Sequence, residues 1–361
     1  MSLRRKREVF SIMRKHILAL AICVVVVLAM LASGCTTPTP GPAPAGNETP
    51  KGITIVDSNG NAINLSGIAD RIIATNSDCA EVLIAIGAKD RIVGVSNTVK
   101  KNPALGPLLE NVTDIGSWDS PNMEQIAMLQ PDVVIVYATW KPKNADQFAT
   151  LNATILPLDC GNMKTVASDI QQLGKLTGRE AKAGEFADFI GGNIDLVMKK
   201  VDASSYPGPD VYWEYNSEYS TAGNGSGADY LITAAGGRNI AGDLNTTYPK
   251  VNSEFVVEKG PGVIVKTFGY GQTAQNITNL RNTTMARTGL SQVAAVKDGK
   301  VYVMSSTITY GPKGSIGLLY LAKVLHPGLF GDVDPAAALD RYAEKYVPGT
   351  NQPNLIYPVP A

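Results

Sequence analysis

Residues 118–140, WDSPNMEQIAMLQPDVVIVYATW, lie without a gap on residues 248–270, YPKVNSEFVVEKGPGVIVKTFGY. Trp118 falls on Tyr248, Asn122 on Asn252, Glu124 on Glu254, Pro131 on Pro261 and Trp140 on Tyr270. Each copy runs from an aromatic loop through a helix-start signal to a proline step and an apolar run of strand length. In the first copy Ser120 or Asp119 is expected to cap the helix, with Pro121 at its first position. A second pair agrees: AEVLIAIGAKDRIVG from Ala80 lies on ADYLITAAGGRNIAG from Ala228. Such self-similarity marks two diverged copies of one α/β unit.

The flanking sequence has the same grammar. ITIVDSNGNAINL alternates around an Asn/Gly turn and reads as a hairpin. RIIAT, RIVGVS, DVVIVY and ATILPLD then alternate with helical segments, which predicts a parallel sheet with helices on both faces. Residues 164–205 form a long helical region broken near Gly178, where Phe186, Ile190, Ile194 and Val197 keep helical spacing despite Gly191-Gly192. The expected architecture is therefore two similar parallel-sheet α/β lobes, 52–163 and 206–361, joined by a long rigid helix. Ligand crevices of such sheets open beyond the carboxyl ends of the strands.

Residues 1–35 are excluded from the fold. Arg4, Arg5, Lys6, Arg7, Arg14 and Lys15 precede an apolar stretch at 17–32, and small residues then lead to Cys35. That apolar stretch is shorter than the roughly 20 residues a bilayer span needs. A lipoprotein-type signal ending at a lipidated Cys35 is the expected reading, with the Pro/Thr-rich residues 36–51 as an extended spacer. The chain is then extracytoplasmic and anchored to the cell membrane. Eight Asn-x-Ser/Thr sequons, where about three are expected by chance, fit an exported chain. Equal numbers of acidic and basic residues, 32 each, exclude a nucleic-acid partner of the usual basic kind. Cys79 and Cys160 could pair only if two strand ends meet.

No GxSxG elbow, HExxH, Walker A loop or Cys-x-x-Cys occurs, and His326 is the one histidine beyond the signal. Neither a catalytic set nor a protein-held metal site is expected, and no cofactor; any iron or cobalt would arrive within the ligand. Aromatic side chains concentrate instead where the crevice is expected. The tryptophans Trp118, Trp140 and Trp213 and the tyrosines Tyr137, Tyr215, Tyr248, Tyr270 and Tyr310 fall in loops or at strand ends. They are the candidate ligand-binding residues, suited to a large flat or apolar ligand. Glu124 and Glu254 each stand six residues after an aromatic, in a helix's first turn. Singly, each compensates a helix dipole; as a pair on two lobes they could engage a symmetric basic partner.

The ordered set RIIATNSDCAEVLIAIGAKDRIVGVSN, SWDSPNMEQIAMLQPDVVIVY, LITAAGGRNIA, VNSEFVVEKGPGVIV, LSQVAAVKDGKVYVM and GLLYLAKVLHPGLF resembles the iron-chelate and cobalamin periplasmic binding family. The resemblance implies a monomeric solute receptor that carries an iron–siderophore, haem or cobalamin to an ABC importer permease and its ATPase. It implies that Glu124 and Glu254 dock on permease arginines, and that Trp118 and Tyr248 pack on a corrin. Cobalamin-binding members carry acidic and arginine residues after the late strand, and SSTITYGPKG lacks counterparts. The alternative class is an extracytoplasmic enzyme, a chelatase or hydrolase, using the same cleft.

Overall fold

The structure is a computed structural model that describes residues 52–138, 142–204 and 208–360. The signal and spacer at 1–51, with Cys35, and the loop residue Trp140 lie outside the described residues.

Strands β1 (Ile53–Val56) and β2 (Ala62–Leu65) make the expected antiparallel hairpin. The first lobe is built on β3 (Ile72–Ala74), β4 (Ile92–Val95), β5 (Thr113–Asp114), β8 (Val133–Val136) and β9 (Thr154–Pro157). These form one parallel sheet in the order β5-β4-β3-β8-β9. Between them, β6 (Gly116–Ser117) and β7 (Ser120–Pro121) form a small ribbon. The second sheet joins β10 (Asp210–Glu214), β11 (Arg238–Asn239), β12 (Val263–Phe268), β13 (Val301–Ser305) and β14 (Ile356–Tyr357). Its order is β11-β10-β12-β13-β14, parallel except for β14. Both sheets lie within one compact unit, Pro50–Ala361.

The helices that matter here are α1 (Ser77–Ala85), α2 (Met123–Leu129), α3 (Val166–Thr177) and α4 (Glu180–Ser204). They continue with α5 (Gly227–Ala234), α6 (Ser253–Lys259), α7 (Ala274–Met285), α8 (Gly314–Leu325) and α9 (Pro335–Lys345). The repeat is visible in atomic detail. Asn122 caps α2 by accepting from Gln125 N, and Asn252 caps α6 by accepting from Phe255 N. Both helices end in a left-handed residue, Gln130 or Gly260, and lead into the central strands β8 and β12. The cap is thus Asn122 rather than Ser120 or Asp119. Ser120 and Pro121 pair with Ser117 and Gly116 in the ribbon instead, and the Asn122 carboxamide is the first acceptor within reach of the free N–H groups.

α3 stops at the left-handed Gly178, and α4 then runs 25 residues, about 37 Å at 1.5 Å per residue. Its buried face of Phe186, Ile190, Ile194 and Val197 is the one expected from their spacing. Phe186 and Phe189 pack on Tyr342 and Tyr346 at 4.6–6.3 Å between ring centres, fixing α9 to this strut.

Trp213 overturns an expectation. It sits in β10, where four consecutive residues are buried, and it is fully enclosed in the core. A central parallel strand is covered on both faces, so even its large aromatic points into packing rather than into the crevice. Beside it Glu214, also fully buried, meets Lys266 at 2.9 Å and Arg287 at 2.7 Å. Burial pushes the Glu214 carboxyl up, but Arg287 and Lys266 outweigh this and hold it below its ordinary range.

Candidate functional site

A cavity of about 660 Å³, partly open to solvent, is walled by both lobes. Its residues follow the carboxyl ends of strands throughout: Ser77, Asp78 and Glu81 after β3, Asn102 after β4, Tyr137 after β8, and Asp159 to Lys164 after β9. From the other lobe come Ser226, Asp229 and Tyr230 after β10, Tyr248 after β11, Tyr270 after β12, and Ser306 to Lys313 after β13. This is the position that parallel-sheet topology assigns to a ligand.

Four of the sequence-predicted tyrosines, Tyr137, Tyr248, Tyr270 and Tyr310, line the cavity. Trp118 is not among the lining residues; it is half-buried, its ring edge-on to Tyr137 at 5.1 Å and 77°. Tyr215 backs the opposite side, 5.7 Å from Tyr248 between ring centres. Its hydroxyl is buried beside those of Tyr310 and Ser226 but meets no partner at hydrogen-bond geometry. Burial pushes the Tyr137 and Tyr310 phenols well above their usual range, so both remain neutral donors.

Two contacts bridge the cleft. Asn102 Nδ2 donates to Tyr270 Oη at 3.1 Å, and Lys164 Nζ lies 5.5 Å from the centre of the Tyr230 ring. Deeper, Glu81 on α1 is gripped from the second lobe. Lys313 Nζ reaches Glu81 Oε1 at 2.9 Å, and Tyr342 Oη donates to the same oxygen at 2.7 Å.

The carboxylates were not legible as site residues. Asp78, one turn before Glu81 on the same face of α1, is walled by protein but keeps partial access to the cavity. No donor among the described residues hydrogen-bonds to it. Burial, then the Glu81 charge, push its carboxyl up to about 7, only partly opposed by Lys313. Asp159 is also raised by burial, with Ala138 N donating to it at 2.8 Å. Behind Asp78, Cys79 and Cys160 lie as free thiols, 3.2 Å between sulfurs. The signal for Asp78 and Glu81 was their place on the helix that follows the first strand of a parallel sheet, Asp78 in its first turn.

Glu124 and Glu254 are far simpler. Each is exposed in the first turn of its helix. Met128, 82% exposed, lies four residues after Glu124, and Val257, 42% exposed, three after Glu254. Each helix therefore presents one carboxylate and one apolar side chain on a common face.

The sequence profile of the periplasmic binding protein family matches residues 72–307. The chain belongs to this family. A cobalamin-binding protein of Halobacterium salinarum is 27% identical over 216 residues, 59% of this chain. The match spans only 58% of that relative's length. An uncharacterized ABC transporter substrate-binding lipoprotein of Bacillus subtilis, YvrC, is 23% identical over 295 residues, 77% of this chain and 87% of its own. The crystal structure of a TroA-like periplasmic binding protein, FepB, from Veillonella parvula superposes with a TM-score of 0.71 at 23% identity. That superposition covers 82% of this chain and 96% of the other, and it shows a shared fold. No helix among the described residues is long and apolar enough to cross a membrane.

Proposed function

We propose that this protein is an extracytoplasmic solute receptor that captures a metal chelate between its lobes and delivers it to an ABC importer. The observation that carries the reading is the cavity itself: about 660 Å³, at the strand ends of both sheets, with tyrosine rings supplied by each lobe. That size suits a small organic ligand, and the partial opening leaves room for a larger chelate to project from the cleft. The likeness to a cobalamin-binding protein makes a corrinoid the first ligand to test, ahead of iron–siderophores and haem. Lipidation at Cys35 would tether the receptor. Glu124 with Met128 and Glu254 with Val257 would form the two contact points for permease arginines. Fluorescence quenching of the full-length protein by cyanocobalamin, ferric siderophores and haemin tests the proposal. Saturable binding of one of them at micromolar concentration or below is expected; failure of all refutes it.

Asp78 supports the enzyme alternative to one degree, because a carboxyl titrating near 7 suits a general base. Turnover of a chelate without stable binding would favour it.

A further inference from the structure

We propose that the cleft selects neutral or cationic chelates whose periphery donates hydrogen bonds, and rejects anionic ones such as ferric tris-catecholates, haem-like dicarboxylates and oxyanions. The inference rests on the cleft being the chelate site and adds a charge rule to it. Four carboxylates line the cavity, Asp78, Glu81, Asp159 and Asp229, against two ammonium groups, Lys164 and Lys313. Lys313 is committed to Glu81 at 2.9 Å, and Lys164 lies over the Tyr230 ring. No arginine is among the described lining residues, although the guanidinium fork is the usual clamp for carboxylate and other oxyanions.

Helix N-termini could have supplied anion sites, since α1 and α5 both begin at the cavity. At each, a cap already takes one of the free N–H groups. Asn76 accepts from Cys79 N at α1, while Ser226 accepts from Asp229 N at α5. The Asp229 carboxylate also takes Gly225 N at 3.1 Å. Asp78 and Asp229 each stand in a first turn, so an acidic side chain already faces the positive end of each helix dipole. Asp78 then remains as an acceptor with no donor from the described residues. A ligand amide, ammonium or hydroxyl supplies what it lacks.

The test pairs inert octahedral cobalt(III) complexes of similar size and opposite charge. Hexaamminecobalt(III) offers N–H donors, whereas hexacyanocobaltate(III) offers only acceptors. Calorimetric titration of the full-length protein should show binding of the cation at least about tenfold tighter than that of the anion. Asp78→Asn should reduce that ratio at least about threefold, Asp159→Asn should reduce it in the same direction, and the exposed Asp90→Asn should leave it unchanged. A preference for the anion, equal binding of both, or a ratio indifferent to both cavity substitutions overturns the proposal. Among chelates, a cationic ferric hydroxamate or neutral cyanocobalamin should outbind a ferric tris-catecholate; the reverse order also overturns it. If no chelate binds at all, the receptor reading fails, and the cobalt pair still decides the charge rule.

Discussion

Asp78→Asn should make the ligand-free protein more stable at alkaline pH. The Asp78 carboxyl is raised from an ordinary 3.8 to about 7, by burial first and by Glu81 second. In the window between those values the folded protein holds a proton that the unfolded chain has released, so stability falls as pH rises. The difference corresponds to at most about 4 kcal/mol lost by pH 8, and about 2 kcal/mol once water at the cavity mouth screens the charge. Near pH 4 the unfolded carboxyl is about half protonated and the folded one fully, so only about 0.5 kcal/mol is lost there. Denaturant unfolding followed by tryptophan fluorescence should therefore find the variant about 2–4 kcal/mol more stable at pH 8 and within about 0.5 kcal/mol of wild type near pH 4. A variant equally destabilised at both pH values would show that Asp78 is ionised and paired in the folded state, and the reasoning would fail.

The same group makes binding depend on pH. Glu81 on its own helix, Asp159 after β9, Lys313 before α8, Tyr137, Tyr270 and Tyr342 all face it. The tyrosines stay neutral through this range, since burial raises each of them. A cationic ligand binds the ionised carboxylate, so its affinity should fall below pH 7 by up to about tenfold per pH unit.

Further expectations concern the wall, the rim and the anchor. Trp118→Ala removes an edge-on ring contact worth about 0.5–1.5 kcal/mol and frees Tyr137 to turn; chelate affinity should drop several-fold in a fluorescence titration while stability falls by less than about 2 kcal/mol. Large destabilisation with unaltered affinity would make Trp118 a core residue. Glu124→Ala and Glu254→Ala should each keep full chelate affinity but lower uptake in cells, the double variant more so, because an interfacial charge pair lost from one side costs about 2–5 kcal/mol; normal uptake at normal surface levels would remove the docking role. Gly311→Ala should destabilise by about 1–2 kcal/mol, since φ is +63° there and a Cβ would meet the Asp78 carboxylate; ligand affinity should fall with it, and an unchanged pair of values would refute that packing. Cys35→Ser should abolish lipid labelling and membrane retention of a folded protein; unchanged retention would refute lipidation.

The fold was legible because its signals are local and occur twice. Asn122 and Asn252 begin matched helices, Gln130 and Gly260 end them, and strands that open on apolar runs and are buried throughout follow at β8 and β12. Position along the chain also sufficed for Tyr137, Tyr248, Tyr270 and Tyr310, each soon after a strand in a sheet whose ligand edge is known in advance. The same rule failed for Trp213, which lies inside its strand. In DVYWE the last four residues are all buried, so no alternation of polar and apolar residues could tell one face from the other.

Asp78 and Glu81 show why the chemistry of the cleft was harder to read than its location. They lie three apart on one helix face and look alike in sequence: two acids in the first half of a helix, the first of them placed to compensate the dipole. Long-range partners separate their roles. Glu81 is held by Tyr342, 261 residues away, and by Lys313, both from the second half of the chain. Its charge is consumed in fastening α1 to the opposite lobe. Asp78 receives no donor from it, and burial with the Glu81 charge raises the proton affinity of its carboxyl against the opposing charge of Lys313. Because Glu81 raises Asp78 by its charge, replacing Glu81 with Gln should lower the Asp78 value and loosen the grip of Lys313 together. The tether and the ligand acceptor are therefore coupled parts of one helix turn.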